Sequence, residues 1–170
     1  MTNILNPASL KEAFRLSLAG SVLALLGAYI SQYGFGLRPC ELCLLQRHPY
    51  FLVIALSVIT WKIHNIRLLR ILLATVTLLF AVETGIAGYH AGVEKGMFPG
   101  PSACTGGDTS QMTLDELRAN ILNSEVVACD QPAIEILGIT MAGANMVYAL
   151  ILTILCARTI YRDRKGILHG

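Results

Sequence analysis

The chain has 170 residues, of which 54% are hydrophobic and only 14% are charged. Soluble domains carry about 25% charged residues, so this composition argues against a water-soluble globule, and the apolar content argues against a disordered chain. The formal net charge is only +2, which argues against a basic nucleic-acid-binding protein. The composition instead predicts a protein that folds in the lipid bilayer.

Three membrane spans are predicted before residue 91. The first, at about residues 16–36, lies in an uncharged stretch that reaches the ~20 residues needed to cross the bilayer, and it is too long for the core of a signal peptide. The second, at about residues 42–61, and the third, at about residues 71–90, reach that length only by including Arg47 and Glu83, respectively. Because ionisable groups at membrane depth are costly and usually face a protein interior or a polar cavity, both residues are candidates for function.

A long loop at about residues 91–135 precedes the fourth predicted span, at about residues 136–157. Thr113 to Glu116 fit a helix-capping box, and apolar residues after them share one helical face, which predicts a short amphipathic helix on the membrane surface. A loop helix packed on the bundle explains the same pattern equally well. We expect one domain over residues 1–170, an all-α integral membrane four-helix bundle.

The distribution of Lys and Arg predicts the orientation of this bundle. Of the 13 such residues, nine lie before the first span, between the second and third spans, or after the fourth. Because Lys and Arg are enriched in cytoplasmic segments, both termini are expected in the cytoplasm. The long loop is then expected on the opposite side of the membrane.

The five cysteines divide according to this topology. Cys40, Cys43, Cys104 and Cys129 lie at or beyond the outer boundary of the membrane, whereas Cys156 lies near the cytoplasmic end of the fourth span. Thiols on an oxidising side usually pair, and the sequence proposes Cys40 with Cys43, which share one turn, and Cys104 with Cys129, which share one loop. Cys156 stands in a run of Leu and Ile and is interpreted as a small core hydrophobe.

The Cys-x-x-Cys motif at Cys40 and Cys43 follows Pro39, a residue that favours the first turn of a helix. Free backbone N–H groups at a helix start and a nearby cation both lower a thiol pKa. Arg47 lies four residues after Cys43, on the same helical face one turn deeper, so a Cys43 thiolate beside a guanidinium is predicted. The motif also occurs in metal sites and structural pairs, but a second Cys-x-x-Cys, the usual mate in a structural zinc site, is absent from the sequence.

Two cysteine pairs, one in an aqueous loop and one at the lipid boundary, predict an electron relay. The loop pair would exchange with a soluble protein, and the boundary pair would reduce a lipid-soluble acceptor, for which quinone is the natural candidate. Arg47 is predicted to polarise a quinone carbonyl, and His90 to hydrogen-bond the ring or deliver a proton. The alternative for His90 is an interfacial residue without a chemical role. Glu83, seven residues earlier on the same face, is either part of a proton path or a neutral packing residue.

These residues also carry a family resemblance. The segment PCELCLLQR at residues 39–47, with the later Tyr89-His90, the loop pair Cys104 and Cys129 and four short spans, resembles the bacterial disulfide-bond formation protein DsbB family. The resemblance covers nearly the whole chain, from the first span to the fourth.

This resemblance implies a multi-pass protein of the bacterial inner membrane, a protein-dithiol:quinone oxidoreductase with its active cysteines on the periplasmic side. It would re-oxidise a soluble periplasmic DsbA-like protein of thioredoxin fold, which makes disulfides in secreted proteins. In the family, the Cys104-type residue takes the mixed disulfide with the donor, and the Cys129-type residue completes the loop pair. Electrons then move to the Cys40/Cys43 pair, where the Cys43-type thiolate forms an adduct with ubiquinone or menaquinone. The residues that the resemblance places near the quinone are Arg47, His90 and Met141.

Two other interpretations share these features. A relay running in the reductive direction would need cysteines that reach the cytoplasmic side, where the predicted topology places only Cys156. In vitamin-K-epoxide-reductase-like proteins the Cys-x-x-Cys follows the loop pair, whereas here it comes first. A membrane metal-binding or thiol-sensing module would hold all four sulfurs reduced and close together, while the relay predicts two separable disulfides.

Overall fold

The computed structural model describes residues 10–101, 113, 128–136 and 138–168. Its helices are α1 (Leu10–Tyr29), which continues as a π-helical turn (Ile30–Gly34), α2 (Glu41–Leu45), α3 (Arg47–Ile59), which continues as a 3₁₀ turn (Thr60–Lys62), α4 (Ile66–Glu94) and α5 (Met141–Leu168). Two short strands, β1 (Glu135–Ile136) and β2 (Ile139–Thr140), form an antiparallel hairpin before α5. Among these described residues, four helical segments are long and apolar enough to cross a bilayer: Leu10–Gly34, Glu41–Lys62, Ile66–Glu94 and Met141–Asp163. The predicted class, a helical membrane protein with four spans, is confirmed.

The predicted limits of the first and third spans are too narrow. Helix α1 begins at Leu10, so that Arg15 lies inside it and approaches Glu12 at 3.8 Å. Helix α4 begins after Asn65, whose Oδ1 accepts the backbone N–H groups of Arg67 and Leu68 in the first turn, at 3.0 and 3.3 Å. The helix ends at Glu94. A charged residue marks where the apolar stretch ends, but a helix continues past it until a capping group satisfies its backbone.

The predicted start of the fourth span at residue 136 is wrong. The chain there forms the β1–β2 hairpin, in which Gly138 takes a positive φ of 78° that residues with a Cβ rarely adopt. Helix α5 begins only at Met141, and Thr140 Oγ1 accepts the N–H of Gly143 at 3.1 Å as a capping bond. Short apolar runs do not by themselves separate strand from helix. The amphipathic helix predicted after Thr113 lies outside the described residues.

The long helices bury one face against each other and leave an apolar outer face. The interior contains Phe14, Val53, Leu73 and Phe80, each at most 1% exposed. Cys156 is buried among these side chains, with its Sγ 3.3 Å from an oxygen of α1, as expected of a core residue. Large aliphatic side chains cover the outer surface, which is the arrangement that lipid, rather than water, stabilises.

Candidate active site

The two cysteines of the Cys-x-x-Cys motif lie at the start of α2. Cys40 caps the helix: its backbone is extended and its Sγ accepts the N–H of Cys43 at 3.2 Å. Both are free thiols, and their sulfurs lie 2.9 Å apart. Cys40 is buried, at 5% exposure, whereas Cys43 is partly exposed. The pair is therefore a contacting dithiol in which Cys43 is the more exposed residue.

The surroundings of Cys40 favour its thiolate. The side-chain hydrogen bond with Cys43, helped by one with His90 and by the N–H of Cys43, outweighs burial and lowers the pKa of the Cys40 thiol below its ordinary value. The sequence predicts the stabilised thiolate at Cys43 instead. In the dithiol described by this structure, the hydrogen bonds that stabilise a thiolate converge on Cys40.

The helix that follows the motif is interrupted, which corrects the continuous helix predicted from residue 42. Gln46 separates α2 from α3 because Pro49 has no N–H to donate to the carbonyl of Leu45. His48 Nδ1 lies 3.3 Å from that carbonyl and satisfies it. The interruption places the buried amide of Gln46 at the centre of the site.

Arg47 begins α3 and is held from α1. Its Nη1 donates to Gln32 Oε1 at 2.8 Å, and its guanidinium carbon lies 4.8 Å from the ring centroid of Tyr29. Gln32 belongs to the π-helical turn, a distortion often found at functional sites. Arg47 Nε is buried and has no hydrogen-bond partner among the described residues. The guanidinium is thus fixed in place with one donor free for a ligand.

His90 contacts the dithiol from α4. Its Nε2 lies 3.5 Å from Cys40 Sγ and 3.8 Å from Glu94 Oε1, and its Nδ1 lies 3.0 Å from Gln46 Nε2. The side chain is 2% exposed, so His90 is a buried neighbour of the reactive sulfur rather than an exposed interfacial residue. Glu94 is buried beside it, and its Oε2 has no partner in the described part of the chain.

One cavity of about 510 Å³ brings most of the predicted site residues together. Ligand sites for small molecules are commonly about 300–1,000 Å³ and mostly apolar with a few polar groups, as here. Apolar residues of α1 and α5 form much of its wall. The predicted site residues that line it are Cys40, Cys43, Arg47, His90 and Met141.

The predicted loop pair is described only at Cys129. Cys129 is disulfide-bonded, and its expected partner Cys104 lies outside the described residues. Cys129 is 2% exposed and packs in one buried cluster with Cys40, Leu42 and Val93. A loop cysteine therefore lies in the same buried cluster as the motif cysteine that caps α2.

The same site has a composition that suits a metal. The ligand atoms of Cys40, Cys43 and His90 all lie within 4.8 Å of one another. Two thiolates and an imidazole are typical zinc ligands, and three protein ligands are common in catalytic zinc sites. This observation supports the metal-binding alternative.

Sequence reasoning missed several polar residues of the site, namely Gln32, Gln46, Glu94 and Asn145. Each lines the cavity. For the three amides, Gln32, Gln46 and Asn145, the available signal is an amide side chain inside a predicted span, since an unpaired amide is costly in lipid and implies a partner. Their partners lie on other helices, however, and only the fold identifies them.

Fold and site together define a four-helix membrane protein with a cysteine dithiol at the wall of an apolar cavity. The profile of the family "Disulfide bond formation protein DsbB" matches residues 11–159. The chain therefore belongs to the DsbB family of membrane proteins of disulfide-bond formation.

Individual relatives agree with this assignment. The chain is 31% identical over 163 residues to "Disulfide bond formation protein B 1" of Pseudomonas fluorescens (strain Pf0-1), which covers 92% of this chain and 94% of the relative. It is 27% identical over 148 residues to the uncharacterized protein RP370 of Rickettsia prowazekii (strain Madrid E), covering 86% and 85%. No solved structure matches the chain at a significant level.

Proposed function

We propose that this protein is a protein-dithiol:quinone oxidoreductase. It oxidises a soluble periplasmic DsbA-like dithiol protein and passes the electrons through two cysteine pairs to ubiquinone or menaquinone in the bacterial inner membrane. The observation that carries the proposal is the shared cavity: the dithiol and a guanidinium with an unpartnered buried Nε line the same apolar space. The positive-inside distribution of Lys and Arg supports cytoplasmic termini and periplasmic cysteines.

The presence of Cys129 and Cys40 in one buried cluster supports the route between the two pairs. Once the donor has reduced the loop pair, the Cys129 thiolate attacks Cys40 Sγ in the disulfide form of the motif. The Cys129–Cys40 bond forms, the Cys40–Cys43 bond breaks, and Cys43 leaves as a thiolate. Cys43 is the more exposed residue of the motif and lines the cavity, so the released thiolate belongs to a residue in reach of the electron acceptor.

The residues around the cavity fit a quinone. Arg47 Nε offers an N–H to a carbonyl oxygen and a positive charge to the anion that develops there, and Met141 contributes apolar wall. A bound quinone accepts two electrons and two protons and leaves as quinol. Before the quinone is reduced, the Cys104 thiolate attacks Cys129 Sγ, so that the Cys104–Cys129 bond re-forms, the Cys129–Cys40 bond breaks and Cys40 is released as a thiolate. The Cys40/Cys43 dithiol then supplies both electrons and both protons and returns to the disulfide.

The direct test uses purified protein in detergent with a reduced thioredoxin-fold donor and a soluble quinone. We expect one quinol for each donor disulfide formed, measured by quinone absorbance and by thiol titration of the donor. Cys156→Ala is the matched control, since Cys156 is a cysteine buried away from the cavity, and it should retain the rate. No quinol above the rate without protein would contradict the proposal, and donor reduction at the expense of quinol would indicate the reductive relay.

The metal-binding alternative is decided by counting thiols in denatured protein that has not been reduced. The chain has five cysteines, and the relay in its oxidised form leaves one free, Cys156. We expect one free thiol after treatment with quinone, and three when the Cys40/Cys43 pair is reduced as in this structure. Five free thiols with a stoichiometric metal ion would instead establish the metal-binding module.

A further inference from the structure

Glu83 is a buried carboxyl group that the proposed reaction does not yet use. It lies in α4 within the membrane span and is 0% exposed. Its Oε1 accepts a hydrogen bond from Asn145 Nδ2 at 2.7 Å, while its Oε2 has no partner among the described residues. Since burying a polar carboxyl group in an apolar bundle is costly, its retention needs a reason beyond packing.

The hydrogen bonds of Asn145 define the orientation of its amide group. Its Nδ2 donates one hydrogen to Glu83 Oε1 and the other to Gln46 Oε1, at 3.0 Å. Its Oδ1 accepts the hydroxyl of Tyr50 at 2.7 Å. Both amide hydrogens and the carbonyl oxygen are thus used, so the amide cannot turn over without reversing its bonds to Glu83, Gln46 and Tyr50.

The orientation of Asn145 determines that of Gln46 and then the protonation of His90. Because Gln46 Oε1 accepts from Asn145, the other end of that amide is the Nε2 group, which only donates. Gln46 Nε2 lies 3.0 Å from His90 Nδ1, so Nδ1 is the acceptor. A neutral imidazole with an accepting Nδ1 carries its proton on Nε2.

We propose that Glu83 is a positioning residue: through Asn145 and Gln46 it fixes His90 in the tautomer that carries the proton on Nε2. This N–H faces Cys40 Sγ at 3.5 Å, with Glu94 Oε1 at 3.8 Å. His90 is then a hydrogen-bond donor that stabilises the Cys40 thiolate, and not a base that removes a proton from it. The importance of this for catalysis rests on the proposed function, but the tautomer itself does not.

The same series of hydrogen bonds could run in the opposite direction, and that alternative makes a different prediction for His90. If Glu83 were protonated and donated to Asn145, both amides would reverse and the proton of His90 would lie on Nδ1. His90 Nε2 would then be bare, free to accept the thiol proton or to bind a metal. The two directions place the imidazole hydrogen on different nitrogens, and that position is measurable.

The experiment is ¹⁵N NMR of the full-length protein in lipid nanodiscs, with ¹⁵N-labelled histidine. Long-range couplings between the ring nitrogens and the carbon-bound ring hydrogens show which nitrogen carries the proton. His90→Gln identifies the His90 signals among the four histidines. We expect the wild type to show a protonated Nε2 and a bare Nδ1. In Gln46→Glu the new carboxylate only accepts, so the proton should move to Nδ1.

Two substitutions of Glu83 separate positioning from packing. Glu83→Leu should give a mixture of tautomers and slow thiol oxidation by about tenfold, since a hydrogen bond to a charged sulfur is weakened. Glu83→Gln retains a carbonyl acceptor for Asn145 and should keep the wild-type tautomer. Glu94→Gln acts on the Nε2 side and should also keep it.

A wild-type His90 with its proton on Nδ1, or a wild-type spectrum in Glu83→Leu, would overturn the inference. If Glu83→Leu fails to fold, the wild-type spectrum and the near-isosteric Gln46→Glu still test the inference, because a wild-type proton on Nδ1 or an unchanged tautomer in Gln46→Glu contradicts the described series of hydrogen bonds. Failure of quinol formation with the expected spectra would reject the proposed function and leave this inference in place.

Discussion

Replacing Cys43 by serine is expected to reduce donor-dependent quinol formation to the rate without protein. A serine hydroxyl neither forms a disulfide with Cys40 nor exists as an anion at neutral pH, so the substitution removes the sulfur that delivers electrons into the cavity. Cys43 is the more exposed residue of the dithiol, and its loss leaves only the buried Cys40. Quinone absorbance under steady-state conditions measures the effect.

A matched variant distinguishes this loss from general inactivation. Cys104→Ser should also stop turnover with the donor, but its Cys40/Cys43 pair, reduced beforehand by a small dithiol, should still reduce quinone once. Cys43→Ser should fail in that single turnover as well. Retained single-turnover activity in Cys43→Ser would show that Cys40 passes the electrons directly, and the assignment of the two sulfurs would be reversed.

The membrane class follows from composition because the ~20-residue apolar stretch is a direct physical requirement of the bilayer. The start of the fourth span is not predictable in the same way. Ile136 and Ile139 are as apolar as the helix they precede, and the hairpin is determined by the positive φ at Gly138, which hydropathy does not record. The predicted start of this span is therefore wrong because backbone geometry, and not apolarity, determines the structure there.

In the candidate site, some residues are predictable from the sequence and their partners are not. Arg47 and Glu83 are predictable as functional candidates because each interrupts an apolar stretch and must find a partner. Their partners are not predictable, since Gln32 and Asn145 come from helices that are remote in sequence. The spacing of Glu83 and His90 on one face suggested a direct path, whereas the structure connects them through amides of two other helices.

The interrupted helix shows what a local rule predicts and what it does not. Pro49 predicts that the carbonyl of Leu45 lacks its helical partner. Gln46 keeps a helical backbone with its N–H in the ordinary ladder, and its buried amide contacts His90 of α4 and Asn145 of α5. Those two contacts come from the packing of the helices, which the proline does not record.

The second large effect is expected at Arg47. In Arg47→Ala the quinone reaction should fall by about 10²–10³-fold, the usual loss when a pre-positioned group that stabilises a developing anion is removed. Thiol exchange with the reduced donor should change little, because the described contacts of the guanidinium are with Gln32 and Tyr29 and not with the sulfurs. Stopped-flow mixing with donor alone, and then with quinone, measures the two steps separately.

Two further variants test whether the charge or the geometry of Arg47 matters. Arg47→Lys keeps a cation but lacks the Nε–H that has no partner in the described structure, so it should recover only part of the quinone rate. Gln32→Leu keeps the Arg47 side chain but removes the 2.8 Å hydrogen bond that positions its guanidinium. This variant should raise the KM for quinone more than it lowers kcat. Among the described Lys and Arg residues, only Arg38 lines the cavity besides Arg47. Unchanged quinone kinetics in Arg47→Ala would refute the role of the Arg47 guanidinium.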